Sequence, residues 1–214
     1  MAMKKFSLAI FDLDGTLVDA YPAIIRSFNF TMQKFSYPLQ SDAVIRRTVG
    51  WGDEHLLKPF VAFKDLRQIL SAYRRHHKKS LVKYSRLFSG AKKVLRRLKD
   101  KGYKLAIASN RPTQFSWILI RHLGLEEYFD YVLCADKLKF SKPHPQILRQ
   151  IMRGLSCLPD ETVYVGDMAI DAQAGKRARV KSIIVTTGSS KLSEVRREKP
   201  YHIIGNITEL LTIL

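Results

Sequence analysis

Two aspartates stand one residue apart in Asp12-Leu13-Asp14, and Gly15 and Thr16 follow at once. Carboxylates at this spacing, on a turn opened by glycine, can converge on one cation. Mg²⁺ suits them, because it takes carboxylate oxygens, water and substrate phosphate together. Alone, an Asp-x-Asp-Gly run reads instead as an acidic turn with an aspartate capping a helix. Three further groups weigh against that reading. Ala108-Ser109-Asn110 offers a hydroxyl and adjacent backbone N–H groups able to hydrogen-bond phosphoryl oxygens, although Ser-Asn is also common turn chemistry. Lys142-Pro143-His144-Pro145 sets a lysine before a proline-rigidified helix start. Gly166-Asp167-Met168-Ala169-Ile170-Asp171 supplies two carboxylates four residues apart. Asp167 alone would be a helix cap. Together with Asp12 and Asp14, both Asp167 and Asp171 are expected to face a metal.

These groups need a scaffold that brings them together. Leu8–Phe11, Lys104–Ala108, Tyr131–Cys134, Val163–Val165 and Ser182–Val185 read as short buried strands, rich in branched or aromatic residues and bounded by polar turns. Amphipathic helices are expected at 90–101, 113–123, 145–153 and 169–177, with Gly102 and Gly124 as stops. A last pair, 202–204 and 208–214, adds an edge strand and a closing helix. This alternation implies an α/β fold, a doubly wound, Rossmann-like parallel sheet with helices on both faces. Ligands bind such sheets beyond the C-terminal strand ends, where each of the four groups falls.

The alternation stops between Asp19 and Phe88. Segments 23–35, 42–48, 54–63 and 66–82 carry apolar residues at helical spacing. The division expected is a catalytic core of residues 1–18 and 89–214, with an all-helical cap, residues 19–88, inserted after the first strand. Val18–Tyr21 and Ser85–Ser89 are the expected hinges.

In this order the four groups resemble the motifs of the haloacid dehalogenase superfamily across the whole chain, and the helical insertion resembles its cap. Within the superfamily the likeness is to the phosphoglycolate phosphatase and β-phosphoglucomutase group. The resemblance implies a Mg²⁺-dependent phosphatase acting on a small phosphate ester. It makes Asp12 the nucleophile that becomes an aspartyl phosphate, and Asp14 the acid–base group. Asp12, Asp14 (through its main-chain carbonyl) and Asp167 hold the metal, with Asp171 a further ligand or a support. Ser109 and Lys142 bind phosphoryl oxygens. Thr16, Asn110, Arg111 and Gly50 are expected beside the substrate. Dehalogenases lack the second carboxylate, since a halide leaves without a proton, so Asp14 argues for phosphate chemistry. Ala20 departs from the serine of many relatives, which bears on substrate identity and not on the metal. A sugar phosphomutase shares the same motifs, and pyrophosphate is a further substrate to weigh.

Composition is globular: hydrophobic residues make up 46% and aromatics 10%. Lys and Arg number 37 against 19 acids, a net charge of +18, which concentrates anions of any kind. The run Arg74-Arg75-His76-His77-Lys78-Lys79 motivates a nucleic-acid-binding alternative, but no zinc spacing or stacking motif accompanies it. The adjacent histidines read as surface residues. Cys134 and Cys157 are too few for a disulfide scaffold. The apolar run after Lys4 and Lys5 is too short for a signal peptide, and nothing approaches the roughly 20 apolar residues of a membrane span. A cytoplasmic protein, monomer or homodimer, is expected, with no membrane or nucleic-acid partner.

Overall fold

The first strand, β1 (Leu8–Phe11), is buried along its whole length, as a strand with neighbours on both edges and layers on both faces must be. The computed structural model describes residues 6–214, so the basic pair Lys4 and Lys5 lies outside the described residues. After β1 come a two-residue strand, β2 (Val18–Asp19), and helices α1 (Tyr21–Lys34), α2 (Asp42–Thr48), α3 (Asp53–Leu57) and α4 (Phe63–Tyr84). The return is β3 (Arg86–Leu87), α5 (Ala91–Asp100), β4 (Lys104–Ser109), α6 (Thr113–His122) and β5 (Tyr131–Cys134). Then follow α7 (Gln146–Gly154), β6 (Thr162–Gly166), α8 (Ala169–Ala178), β7 (Lys181–Val185), α9 (Leu192–Arg197), β8 (His202–Ile204) and α10 (Leu210–Ile213).

Among the described residues, six strands form one parallel sheet in the order β5-β4-β1-β6-β7-β8. Side-chain alternation sorts them onto two faces. Ala9, Phe11, Leu105, Ile107, Val163 and Val165 pack with α5 and α6 on one side. Leu8, Ile10, Ala106, Ala108 and Tyr164 pack with α7 and α8 on the other. The chain winds outward from β1 through β4 to β5 and then returns to place β6 on the opposite edge of β1. That reversal opens a crevice at the C-terminal ends of β4, β1 and β6.

The insertion is helical, as its periodicity predicts, with α1 against α4. Its two connections are not free linkers: β2 and β3 pair antiparallel, Val18 with Leu87 and Asp19 with Arg86. Two residues are too few to show a strand period in sequence. The helix expected over 54–63 ends at Leu57 and tightens into a 3₁₀ turn, Lys58–Phe60. Pro59 lacks the N–H that would continue it. The short α9, with Val195 its buried residue, was not anticipated. No helix among the described residues is long and apolar enough to cross a membrane.

Candidate active site

Asp12 is the first residue beyond β1, and its N–H still donates to Val165 O at 2.8 Å, so the sheet holds its backbone. Gly15 has φ +80°, and a Cβ there would lie 2.3 Å from Asp167 Oδ2, so only glycine lets the two turns approach. Thr16 Oγ1 donates to Asp167 Oδ1 at 2.9 Å. Lys142, from the loop before α7, is fully buried. Its Nζ lies 2.8 Å from Asp171 Oδ1, 2.9 Å from Tyr164 Oη and 3.0 Å from Asp12 Oδ1. Asp171 Oδ2 accepts from the N–H groups of Asp167 (3.1 Å) and Met168 (3.0 Å), and Tyr164 Oη donates to Oδ1 at 2.8 Å. Both oxygens of Asp171 are therefore engaged. Gly166 makes room for it, since a Cβ there would meet Asp171 Cβ at 2.4 Å.

Three buried carboxylates thus face one buried ammonium. Burial pushes the Asp12 carboxyl up to about 7 against the pull of Lys142, with Asp171 and Asp14 adding to the rise. Asp167 is driven well above the carboxylate range by burial and by Asp171 and Asp12. Burial alone would lower Lys142, but Asp12 and Asp171 outweigh it and hold its ammonium charged. Among the described residues, Asp14 Oδ1 and Asp167 Oδ2 are buried without a hydrogen-bond partner, and Asp12 Oδ1 has only its ion pair with Lys142. Unmatched buried charge of this kind is costly unless a cation joins it. Oxygens from Asp12, Asp167 and Asp171 lie within 4.8 Å of one another, a hard-oxygen donor set that fits Mg²⁺.

Beside this cluster is a cavity of about 50 Å³, lined from the core by Asp12, Asp14, Ser109, Asn110 and Arg111. The cap closes it with Gly50, Asp53, Tyr73 and His77, among others. Asn110 stitches three segments: Nδ2 donates to Gly50 O (2.8 Å) and Lys142 O (3.1 Å), and Oδ1 accepts from Lys142 N–H at 2.9 Å. Ser109 Oγ accepts from the Arg111 N–H at 3.2 Å. Arg111 Nε donates to Asp14 Oδ2 at 2.7 Å. Thr16, bound to Asp167, stands behind the cavity.

The structure corrects the reading of the histidine pair. His77 is wholly buried in the cavity wall, with Nε2 2.7 Å from Arg111 Nη1. Burial and Arg111 pull its pKa well below the ordinary value, which keeps the ring neutral. The signal was present: His77 continues the buried stripe of Leu66, Ile69, Tyr73 and Leu81 along α4. Tyr164 was hidden within a strand that reads as plain core. Thr187, whose hydroxyl donates to Gly15 O, and Asp53 had no distinguishing pattern.

The model of one family, haloacid dehalogenase-like hydrolase, matches residues 9–185. The chain belongs to that family. Similar to this hydrolase over nearly its whole length is a phosphoglycolate phosphatase of Nitrosococcus oceani, 27% identical, with 99% of this chain and 98% of the relative covered. Pyrophosphatase PpaX of Halalkalibacterium halodurans is 28% identical, with 98% and 97% covered. Among solved structures, a predicted phosphoglycolate phosphatase from Haemophilus somnus superposes with a TM-score of 0.93, at 26% identity and 99% coverage of both chains. The hydrolase therefore has the helical-cap architecture expected of it, on a Rossmann-like core.

Proposed function

We propose that the protein is a Mg²⁺-dependent phosphatase that hydrolyses a small phosphomonoester through an aspartyl phosphate on Asp12, with phosphoglycolate the first substrate to try. The observation that carries this reading is the pairing of Asp12 and Asp14 on one cavity, with Lys142 and the partnerless Asp167 oxygen beside them. The names of the relatives support the substrate class. The pyrophosphatases among them make pyrophosphate the second candidate.

In this reading the Asp12 carboxylate forms the bond to phosphorus as the ester oxygen departs. Asp14 gives that oxygen its proton, then takes one from the water that splits the acyl phosphate. Ser109 orients a phosphoryl oxygen, and the Lys142 ammonium offsets charge on Asp12 and the phosphoryl group. Mg²⁺, held by Asp12, Asp167 and the Asp14 carbonyl, would neutralise the phosphoryl charge. Asp171, with both oxygens engaged, orients Lys142 and the Asp167 backbone and supports the metal from behind. The protein would act in the cytoplasm, as monomer or homodimer.

The test is phosphate release from a panel of phosphoglycolate, sugar phosphates, nucleoside monophosphates and pyrophosphate in MgCl₂, beside Asp12→Asn and an EDTA control. Turnover that survives Asp12→Asn refutes the nucleophile, and turnover indifferent to EDTA refutes the metal.

A further inference from the structure

Arg111 is 7% exposed and is gripped from two sides. Its Nε serves Asp14 of the core, while its Nη1 meets His77 Nε2 of the cap at 2.7 Å. A guanidinium only donates, so His77 Nε2 is the acceptor and carries no proton. The proton then resides on Nδ1, 3.2 Å from Ser27 Oγ of α1, which itself donates to Ala23 O at 2.8 Å. The ring is held on one face by Tyr73, stacked at 4.9 Å, and edge-on by Phe115 at 5.5 Å. Nothing in this chain of contacts leaves His77 a second orientation. The remaining Arg111 N–H groups have no hydrogen-bond partner among the described residues, and the side chain lines the cavity. Asp53, which lines the same cavity, is bonded to Arg74 at 3.1 Å and also feels the Arg111 charge, but makes no hydrogen bond to Arg111 among the described residues.

We propose that His77 is a positioning residue that fixes the Arg111 guanidinium over the cavity, and that Arg111 so held selects phosphate esters whose leaving group bears a second anion. This deepens the phosphatase reading and rests on it for the word ester. The physical basis is the fork. A planar guanidinium with unused N–H groups matches a carboxylate or phosphate bidentately, and it discriminates only if its plane is set. Because the acceptor that sets the plane comes from the cap, the anion subsite is complete only with cap and core together.

The test reads binding rather than turnover. Calorimetry in MgCl₂ compares 3-phosphonopropionate, which carries a carboxylate, with propylphosphonate, which does not; neither can be hydrolysed. The wild type is expected to prefer the carboxylate ligand by about 10-fold or more, the worth of a charge-assisted hydrogen bond. His77→Phe keeps the stacking and removes the acceptor. It should bring the preference to within about 2-fold, with the carboxylate ligand losing far more affinity than propylphosphonate, and His77→Gln, which restores an acceptor, should recover most of the preference. Equal affinities in the wild type overturn the proposal, as does a preference that survives His77→Phe or an equal loss for both ligands. Should His77→Phe not fold, Arg111→Lys decides: a retained preference overturns the proposal and a lost one supports it. A wild type that binds both phosphonates yet releases no phosphate from any ester refutes the phosphatase reading by itself.

Discussion

The core and the cap reach the same cavity by different physics. Core groups stand at the ends of buried parallel strands, and Lys142, Asp171, Tyr164 and Asp167 form one buried network linked by bonds of 2.8 to 3.1 Å. The cap brings groups from helix faces and meets the core through apolar packing, as of His77 on Phe115, and through polar links. These links include Asn110 to Gly50 O, Arg111 to His77, and Arg47 to Glu194 and Ser189 O. The comparison teaches that charge is concentrated where the backbone is held by the sheet. In the proposed reading, selectivity falls to the helical element that packs over the cavity and can open from it.

Breaking the core should therefore cost far more than breaking the cap. The largest effect expected is on chemistry: Asp12→Asn removes the proposed nucleophile at nearly constant shape and should lower phosphate release by at least about 10³-fold. Next comes stability. Lys142→Met leaves Asp12 and Asp171 without their counter-charge and should cost about 3–5 kcal/mol in urea unfolding, whereas Arg47→Ala, which breaks an exposed pair at the cap edge, should cost only a small fraction of that. Equal losses would erase the distinction between the two regions.

Metal sharpens it further. Added Mg²⁺ should raise the melting temperature of the wild type, by about 2.7 kcal/mol of stabilisation at a hundredfold excess over Kd. Asp167→Asn should abolish most of that rise, and cap variants should preserve it. The smallest effect belongs to the surface link. The hydrogen bond from Arg47 pulls the Glu194 carboxyl down to about 2 from 4.5, so its contribution is present above 4.5 and is lost as pH falls through 2. Arg47→Ala should speed amide exchange in α2 at neutral pH, with the difference from wild type narrowing between pH 4.5 and pH 2.

How legible each part was follows from the same contrast. Strands such as Leu8–Phe11 and Tyr131–Cys134 are continuous apolar runs, because both sheet faces are covered, and they stand out against polar turns. The carboxylates and lysine follow at or soon after strand ends, so their convergence could be inferred before any contact was known. The β2–β3 ribbon was invisible because two-residue strands have no period. His77 was misread because a single polar residue on an apolar stripe looks like part of a basic run until its neighbour across the interface is known.

The amino-acid order by itself determined that Asp12, Asp14, Ser109, Lys142, Asp167 and Asp171 gather at one place, since a parallel sheet delivers successive strand ends to one edge. Tertiary structure alone decided which oxygens are left without partners and which cap residues face them. His77 meets Arg111 across 34 residues of sequence, through the docking of a helix on a sheet edge. Such a contact depends on the relative placement of two elements, and no local periodicity encodes that placement.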